Sequence, residues 1–470
     1  MRQIDRGGLP DPMRQLDASE AALAAKLGIS EAPYIPPTEN FYLSNYIFDG
    51  CVAANLRTGY GYYRSAAKQL LSFRRTQRPD GMVPGVSHPP QRFTVNPERW
   101  LSTRPFEGND YTQTPDWARA VLRLCKAADS KPPVSAEQAI NPDTFLKEIY
   151  PDLLRYYLYF IKKRQIADDD PRAFTLHPHE PNRDSAPEYD LWKQEELERQ
   201  LGRLAIWLER RPRLGDQMPL HFNHLNRIRD YAGALAINLA GYKAGWEPAR
   251  IHQTTEFIDV WFNCFLYENY HAMAELSFRA GYDEEAVMFG ELALDLEQRI
   301  IKEHYFKNAR DGQGAFYSTY NGAPMYRDTI GNLMTFFLKK LPPNQLQSNL
   351  ELVRTGFNTP YILPSVATDD IANYDPRYEE EDRHWRGPAW IVANRMVMDG
   401  LDNQMDRGEY IPEALRNQCW ELFHDIHSSN LAMVELTGDY AEHNNPINGQ
   451  GQRMDRTRGH VFGVAAHMPI

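Results

Sequence analysis

The chain has 470 residues, with 52 Lys and Arg against 63 Asp and Glu, a formal net charge of −11. Such an acidic balance lacks the basic footprint that neutralises phosphates, which argues against a nucleic-acid binder. At 42% hydrophobic and 24% charged, the composition is that of an ordinary globular protein, not a disordered or fibrous one.

Residues 1–40 are rich in Pro and small residues, as in Ala32-Pro33-Tyr34-Ile35-Pro36-Pro37, and read as a lead-in segment. From about residue 41 apolar residues recur mostly at helical spacing. Helices are predicted around 60–76, 114–127, 143–164, 190–210, 222–244, 254–280, 283–301, 327–340, 388–402 and 411–434. Within Asp283 to Ile301, Ala286, Phe289, Ala293, Leu296 and Ile300 step by three and four, while Glu284, Glu291 and Asp295 occupy the other face. Turn-rich stretches such as Arg78-Pro79-Asp80-Gly81, Tyr374-Asp375-Pro376 and Asn445-Pro446 separate the runs. Roughly ten to twelve helices without a composition break predict one large all-α domain over 41–470. No tetratricopeptide or HEAT-type repeat is visible.

The start, Met1-Arg2-Gln3-Ile4-Asp5-Arg6, carries no apolar signal-peptide core, and no apolar run is long enough to span a bilayer. Cys51, Cys125, Cys264 and Cys419 stand far apart, in neither metal-type pairs nor a disulfide framework. The expected setting is cytoplasmic, with no membrane partner. The 14 His are scattered, His177 with His179 and His221 with His224 coming nearest to clusters. No third ligand follows at metal-site spacing, and no phosphate loop, dinucleotide fingerprint, zinc helix or nucleophile elbow is present.

Three loops concentrate chemistry. The first runs from Glu180 to Asp190 and is rich in carboxylates; Asp184-Ser185 there could cap a helix or shape a turn as readily as serve a reaction. The second, His384-Trp385-Arg386-Gly387-Pro388-Ala389-Trp390, carries a Pro suited to the first turn of a helix. Its two Trp are five apart and cannot share one helix face, so one is expected to pack while the other lines a cleft. The third runs from Gly438 to Gly451 and sets Glu442 among Tyr440, His443 and Asn444. Two carboxylates from distant parts of a chain are what glycoside hydrolysis requires, one as acid and one to activate water or attack carbon. Tyr46-Ile47-Phe48-Asp49-Gly50, Gln77 with Asp80-Gly81-Met82-Val83-Pro84, and Thr112-Gln113-Thr114-Pro115 are weaker helix–loop junctions with hydrogen-bonding side chains. At 12% of the chain, with 9 Trp and 26 Tyr, aromatic residues suit either core filling or stacking on sugar C–H faces.

Taken in order, these motifs resemble glycoside hydrolase family 63, and within it the compact bacterial mannosylglycerate and glucosylglycerate hydrolases; the resemblance covers residue 41 to about 465. It implies an (α/α)6 barrel, a six-hairpin toroid with long rim loops, and an inverting α-glycosidase that needs neither cofactor nor metal. Asp184 falls on the family's general acid and Glu442 on its general base. Phe48 and Asp49 fall on the early Trp-Asp that holds sugar hydroxyls, and Gln113, His384, Trp385 and Trp390 on residues lining the sugar subsite. The chain departs from the pattern at Ser185-Ala186, where the family has Asn-Ser, at Phe48, at His384 in place of Tyr, and in His460-Val461-Phe462-Gly463-Val464.

The implied substrate is a small α-linked glucoside or mannoside, with glucosylglycerate or mannosylglycerate expected. A neutral α-disaccharide as in trehalases, an (α/α)6 epimerase and a non-catalytic sugar-binding protein are the alternatives, and a homo-oligomer is left open. A protonated Asp184 needs burial or a like charge, for which Glu180 and Asp190 are at hand. A glycerate carboxylate calls for an Arg, from Arg210, Arg211 and Arg213 or from Arg227 and Arg229.

Overall fold

The structure, a computed structural model, describes residues 11–38, 43–87, 108–202, 223–307, 314–370, 374, 385–452 and 459–468, with backbone alone for 223–231 and 409. Its helices include α1 (Pro12–Leu27), α2 (Ile47–Gly59), α3 (Tyr63–Ser72), α4 (Trp117–Ser130), α5 (Pro142–Tyr159), α6 (Asp190–Leu201), α7 (Asn223–Lys243), α8 (Val260–Ala280), α9 (Asp283–Glu303), α10 (Pro343–Gly356), α11 (Ile391–Met405), α12 (Glu413–Thr437) and the short α13 (Val461–Val464). Strands among the described residues are two to four residues long and sit between helices.

Six elements pack side by side into a closed ring. α2 packs against α4, α4 against α8, α8 against the 3-10 segment Ile330–Phe337, that segment against α11, α11 against α13 and the turn Ala465–His467, and these again against α2. Outside them, α3 lies on α2, α5 on α4, α9 on α8 and α12 on α11, while α10 follows Ile330–Phe337 and packs on α12. α1 closes the sixth position: Met13 and Leu16 enter the core, and Asp17 and Glu20 pair with the buried Arg57 of α2 at 2.5 and 2.9 Å. The architecture is an (α/α)6 barrel.

Inner and outer helices differ as their sequences do. α8 is apolar nearly all round, and Trp261, Phe262, Phe265, Leu266, Tyr270 and Met273 are all buried, as an inner wall requires. Asp259 caps its start by accepting from the Phe262 amide at 2.7 Å, and Gly281, at φ 82°, ends it. α9, outside it, buries Phe289, Ala293, Leu296 and Ile300 along one stripe.

Several predicted boundaries shift for identifiable reasons. The helix predicted from 254 starts at Val260, because Phe257–Ile258 pairs as a strand with Thr319–Tyr320 and Asp259 is the cap. The run predicted over 143–164 is α-helical to Tyr159 and continues as a π-turn, Phe160–Arg164, which leaves Arg164 fully buried. Residues 327–340 form the 3-10 segment Ile330–Phe337, opened by a Thr329–Asn332 capping box. Of the helix predicted over 190–210, residues after 202 lie outside the described residues.

Candidate active site

The ring explains why the motif order carries information. The inner elements open on rim residues: Phe48 and Asp49 open α2, Thr112-Gln113-Thr114 precedes α4, Asp259 caps α8, Thr329 caps Ile330–Phe337, Trp385 to Trp390 lead into α11, and His460 caps α13, while the Asp184 loop leads into α6 and the Glu442 loop follows α12. Residues far apart in sequence therefore meet at one end of the barrel.

Hydrogen bonds and ring contacts close the circle. The Phe48 amide donates to Gln113 Oε1 at 3.4 Å, and Trp261 Nε1 donates to Thr114 Oγ1 at 3.2 Å. Thr114 in turn meets the carboxylate-rich loop, its hydroxyl donating to the Glu180 carbonyl and its amide to Asn182 Oδ1. The Trp385 amide donates to Ser185 Oγ at 3.1 Å, tying the second motif to the residue after Asp184. Ala389 and Asn444 exchange backbone hydrogen bonds at 2.8 and 2.9 Å, which places Glu442 beside the second motif. Phe462 then packs on both Phe48 and Trp390.

Asp49 and Glu442 are 7% and 6% exposed and lie near enough for the Glu442 charge to act on Asp49. Burial pushes the Asp49 carboxyl up to about 8; its backbone hydrogen bond opposes this and the Glu442 charge adds to it. Gln113, Phe48, Trp385 and Trp390 are buried around them. The two Trp do not divide into one packed and one free ring: they stack on each other, centroids 4.0 Å apart and planes 4° apart, with Trp385 edge-on to Trp261. His443, next to Glu442, lies 5.1 Å from Trp390 and is held through Nδ1 by Gln452 Oε1 at 2.9 Å.

Asp184 is more open, its side chain 44% exposed. The like charges expected to act on it are both compensated. Arg164 grips Glu180 through two nitrogens at 2.9 and 2.7 Å, and the Thr112 and Leu176 amides also donate to that carboxylate. Asp190 is paired with Arg386. Against Asp184 itself stands His179, Nε2 3.7 Å from Oδ2, while Lys193 Nζ donates to the Asp184 carbonyl.

The loop is anchored by residues that the sequence pattern does not single out. Arg183 is buried and pairs with Glu188 and with Asp259 Oδ2 at 2.9 Å; Tyr189 donates to the same Asp259 oxygen at 2.6 Å, and Thr329 Oγ1 donates to Glu188. Asn182 adopts a left-handed φ of 59°, turning the chain one residue before Arg183. Gln77, by contrast, donates to the Gly81 and Asp152 carbonyls and is structural. His384, His221, Arg210, Arg211 and Arg213, and the side chains of His224, Arg227 and Arg229, lie outside the described residues. Among the described residues no group of three His, Cys, Asp or Glu is arranged to hold a metal ion, and no helix is long and apolar enough to cross a membrane.

A helical barrel with buried carboxylates and stacked indoles at one rim is the architecture of a sugar-cleaving enzyme. Residues 55–463 match the mannosylglycerate hydrolase MGH1-like glycoside hydrolase domain, and the chain belongs to that family of glycoside hydrolases. It is 25% identical over 452 residues to a mannosylglycerate hydrolase of Thermus thermophilus, covering 90% of this chain and 94% of that one. The mannosylglycerate hydrolase MGH2 of Selaginella moellendorffii is 23% identical over 363 residues, 72% of this chain and 65% of its own. Among solved structures, the family 63 mannosylglycerate hydrolase of another Thermus thermophilus strain, in complex with Tris and D-glycerate, superposes with a TM-score of 0.71 at 21% identity, over 96% of this chain and 98% of that one. Neutral trehalase Nth1 of Saccharomyces cerevisiae shares the fold more distantly, with a TM-score of 0.55 at 12% identity over 93% and 72% of the chains.

Proposed function

We propose that this glycoside hydrolase is an inverting α-glycosidase acting on a small α-linked mannoside or glucoside, with mannosylglycerate or glucosylglycerate as substrate, Asp184 as general acid and Glu442 as general base. The catalytic unit is the domain from residue 41 onward, with residues 1–40 as a lead-in whose helix α1 packs into its core, working in a reducing cytoplasmic setting that suits four free, buried cysteines. The observation that carries the reading is the juxtaposition at the rim: Asp49 and Glu442 share one buried interior, and Ser185, next to Asp184, holds the Trp385 amide. A glycerate leaving group is supported by the named activity of the Thermus thermophilus relative, which the match spans almost end to end.

In this mechanism Glu442 stays ionised and takes a proton from the attacking water, while Asp184 protonates the departing oxygen. Asp49, holding a proton up to about pH 8, can donate a hydrogen bond to a glycone hydroxyl where an ionised carboxylate could only accept. Phe48, Gln113, Trp385, Trp390 and His384 complete the sugar subsite. Inversion leaves room for one water between acid and base, about 6.5–9.5 Å between carboxyl groups, as against about 5–5.5 Å for retention.

The test is a hydrolysis screen of α-linked glycerates and neutral disaccharides, the anomer of the product followed by NMR. Release of the β-anomer from mannosylglycerate or glucosylglycerate, lost in both Asp184→Asn and Glu442→Gln with folding intact, is expected. An α-product refutes inversion, and cleavage of trehalose-like substrates alone makes the enzyme a neutral disaccharidase. Full activity in either variant removes that residue from its role.

A further inference from the structure

His179 is a built neighbour of Asp184. Its Nδ1 lies 3.2 Å from the Tyr111 hydroxyl, its backbone amide donates to His177 Nδ1 at 3.2 Å, and its ring stands edge-on to His177 at 4.4 Å. Tyr111 is fixed in turn by stacking on His177 at 4.4 Å and by Trp246 at 5.7 Å. These contacts leave Nε2 directed at Asp184 Oδ2, 3.7 Å away, with the ring 27% exposed to solvent. His177 is buried and held well below the usual imidazole range, by burial first and then by His179 and Lys193, so it stays neutral. Titratable groups that face His179 among the described residues include Asp184, Tyr111 and His177, with Lys193 reaching the Asp184 carbonyl. With Glu180 and Asp190 both engaged by arginines, His179 is the proton-carrying side chain that approaches the Asp184 carboxyl.

We propose that Asp184 and His179 hold one proton between them, and that this pair is the general-acid unit of the enzyme. The inference rests on the reading of Asp184 as general acid. As the glycosidic C–O bond breaks, its electron pair stays on the leaving oxygen, which takes the proton from the Asp184 carboxyl. His179 Nε2, which holds no proton once Asp184 has donated, takes one from solvent through the exposed edge of the ring and passes it to the carboxylate that remains. The imidazole keeps its Nδ1 hydrogen on Tyr111 Oη throughout. Glu442 returns to solvent the proton it took from the attacking water, so one water is consumed and no net proton. His179 is here a positioning residue that acts through Asp184.

The experiment compares kcat and KM of the full-length protein, His179→Gln and Tyr111→Phe across about pH 5 to pH 9, on mannosylglycerate or glucosylglycerate and on the matching α-glycosyl fluoride, whose leaving group needs no proton. For His179→Gln on the glycerate, kcat near neutral pH should fall about tenfold or more, KM should stay within about twofold, and the alkaline limb should move down by about a pH unit. On the fluoride the same variant should stay within about twofold of the parent. Tyr111→Phe keeps the stack on His177 and should shift the limb the same way by less, which decides the matter if His179→Gln does not fold. An unmoved limb, or an equal loss on both substrates, overturns the proposal. Glycerate hydrolysis surviving in Asp184→Asn overturns instead the reading beneath it, whatever His179→Gln does.

Discussion

The indoles of Trp385 and Trp390 lie face to face, 4.0 Å between centroids and 4° between planes, although four residues separate them. Gly387, at φ 144°, and Pro388 make the turn that permits this, and a side chain at 387 would be strained there. The stack joins Trp261 on one side to His443, the neighbour of Glu442, and Phe462 on the other. Trp390→Ala should cost about 3–5 kcal/mol of stability, and Trp390→Phe markedly less, both read from urea denaturation midpoints. Equal costs for the two would show that the stack contributes no more than any buried ring.

Asp49 gives the fold a pH dependence opposite to that of an ordinary paired carboxylate. Its folded value, about 8, lies above its unfolded value of 3.8, so between these limits the native state binds a proton that the unfolded chain does not. Its contribution to stability is therefore full below about pH 4 and is lost as pH rises through about 8, with a slope of at most about 1.4 kcal/mol per pH unit. Asp49→Asn should flatten the fall in melting temperature between about pH 5 and pH 8 while impairing hydrolysis. A variant that follows the parent's pH profile would remove Asp49 as its source.

What could be read from the sequence follows from where each signal is written. α9 declares itself because one face meets the core and the other meets water, giving the step of three and four from Ala286 to Ile300. α2 shows no such step: from Ile47 to Thr58 every residue is buried, so its pattern is nearly unbroken and hides the helix. Asp184, Glu442 and the Trp pair stand out in the sequence because each lies in a short motif of fixed local spacing. The groups that hold them do not, since Arg183 meets Asp259 across 76 positions and Thr329 across 146, and no local window contains such a pair. The same holds for His179, whose value lies in its 3.7 Å approach to Asp184 and in nothing that its neighbours in sequence announce.

Arg183 should be among the least replaceable residues outside the reacting groups. Its guanidinium is buried over Trp261 at 5.2 Å, between Glu188 and Asp259, and a β-carbon on Gly331 would fall 2.5 Å from its Nη1. Arg183→Met leaves two buried carboxylates uncompensated and should destabilise by about 3–5 kcal/mol. Arg183→Lys keeps the charge but cannot reach both carboxylates in one plane, so it should recover part of that loss. Denaturation curves at neutral pH check the order, parent above Lys above Met; a Met variant as stable as the parent would show that the charges are dispensable.

Asn182 separates two effects at one position. Its left-handed backbone, φ 59°, favours Gly over any residue with a β-carbon, while its Oδ1 accepts from the Thr114 amide at 3.4 Å. Asn182→Gly gives up a long hydrogen bond and gains backbone ease, so its stability should lie within about 1 kcal/mol of the parent. Asn182→Ala gives up the same bond and keeps the strain, and Asn tolerates this region better than Ala does, so Ala should fall about 1 kcal/mol or more below Gly. Both changes sit two residues before Asp184. If the turn is what aims that carboxyl, kcat should follow stability, with Gly near the parent and Ala well below; kcat lost equally in both would assign the aim to the Thr114 hydrogen bond instead.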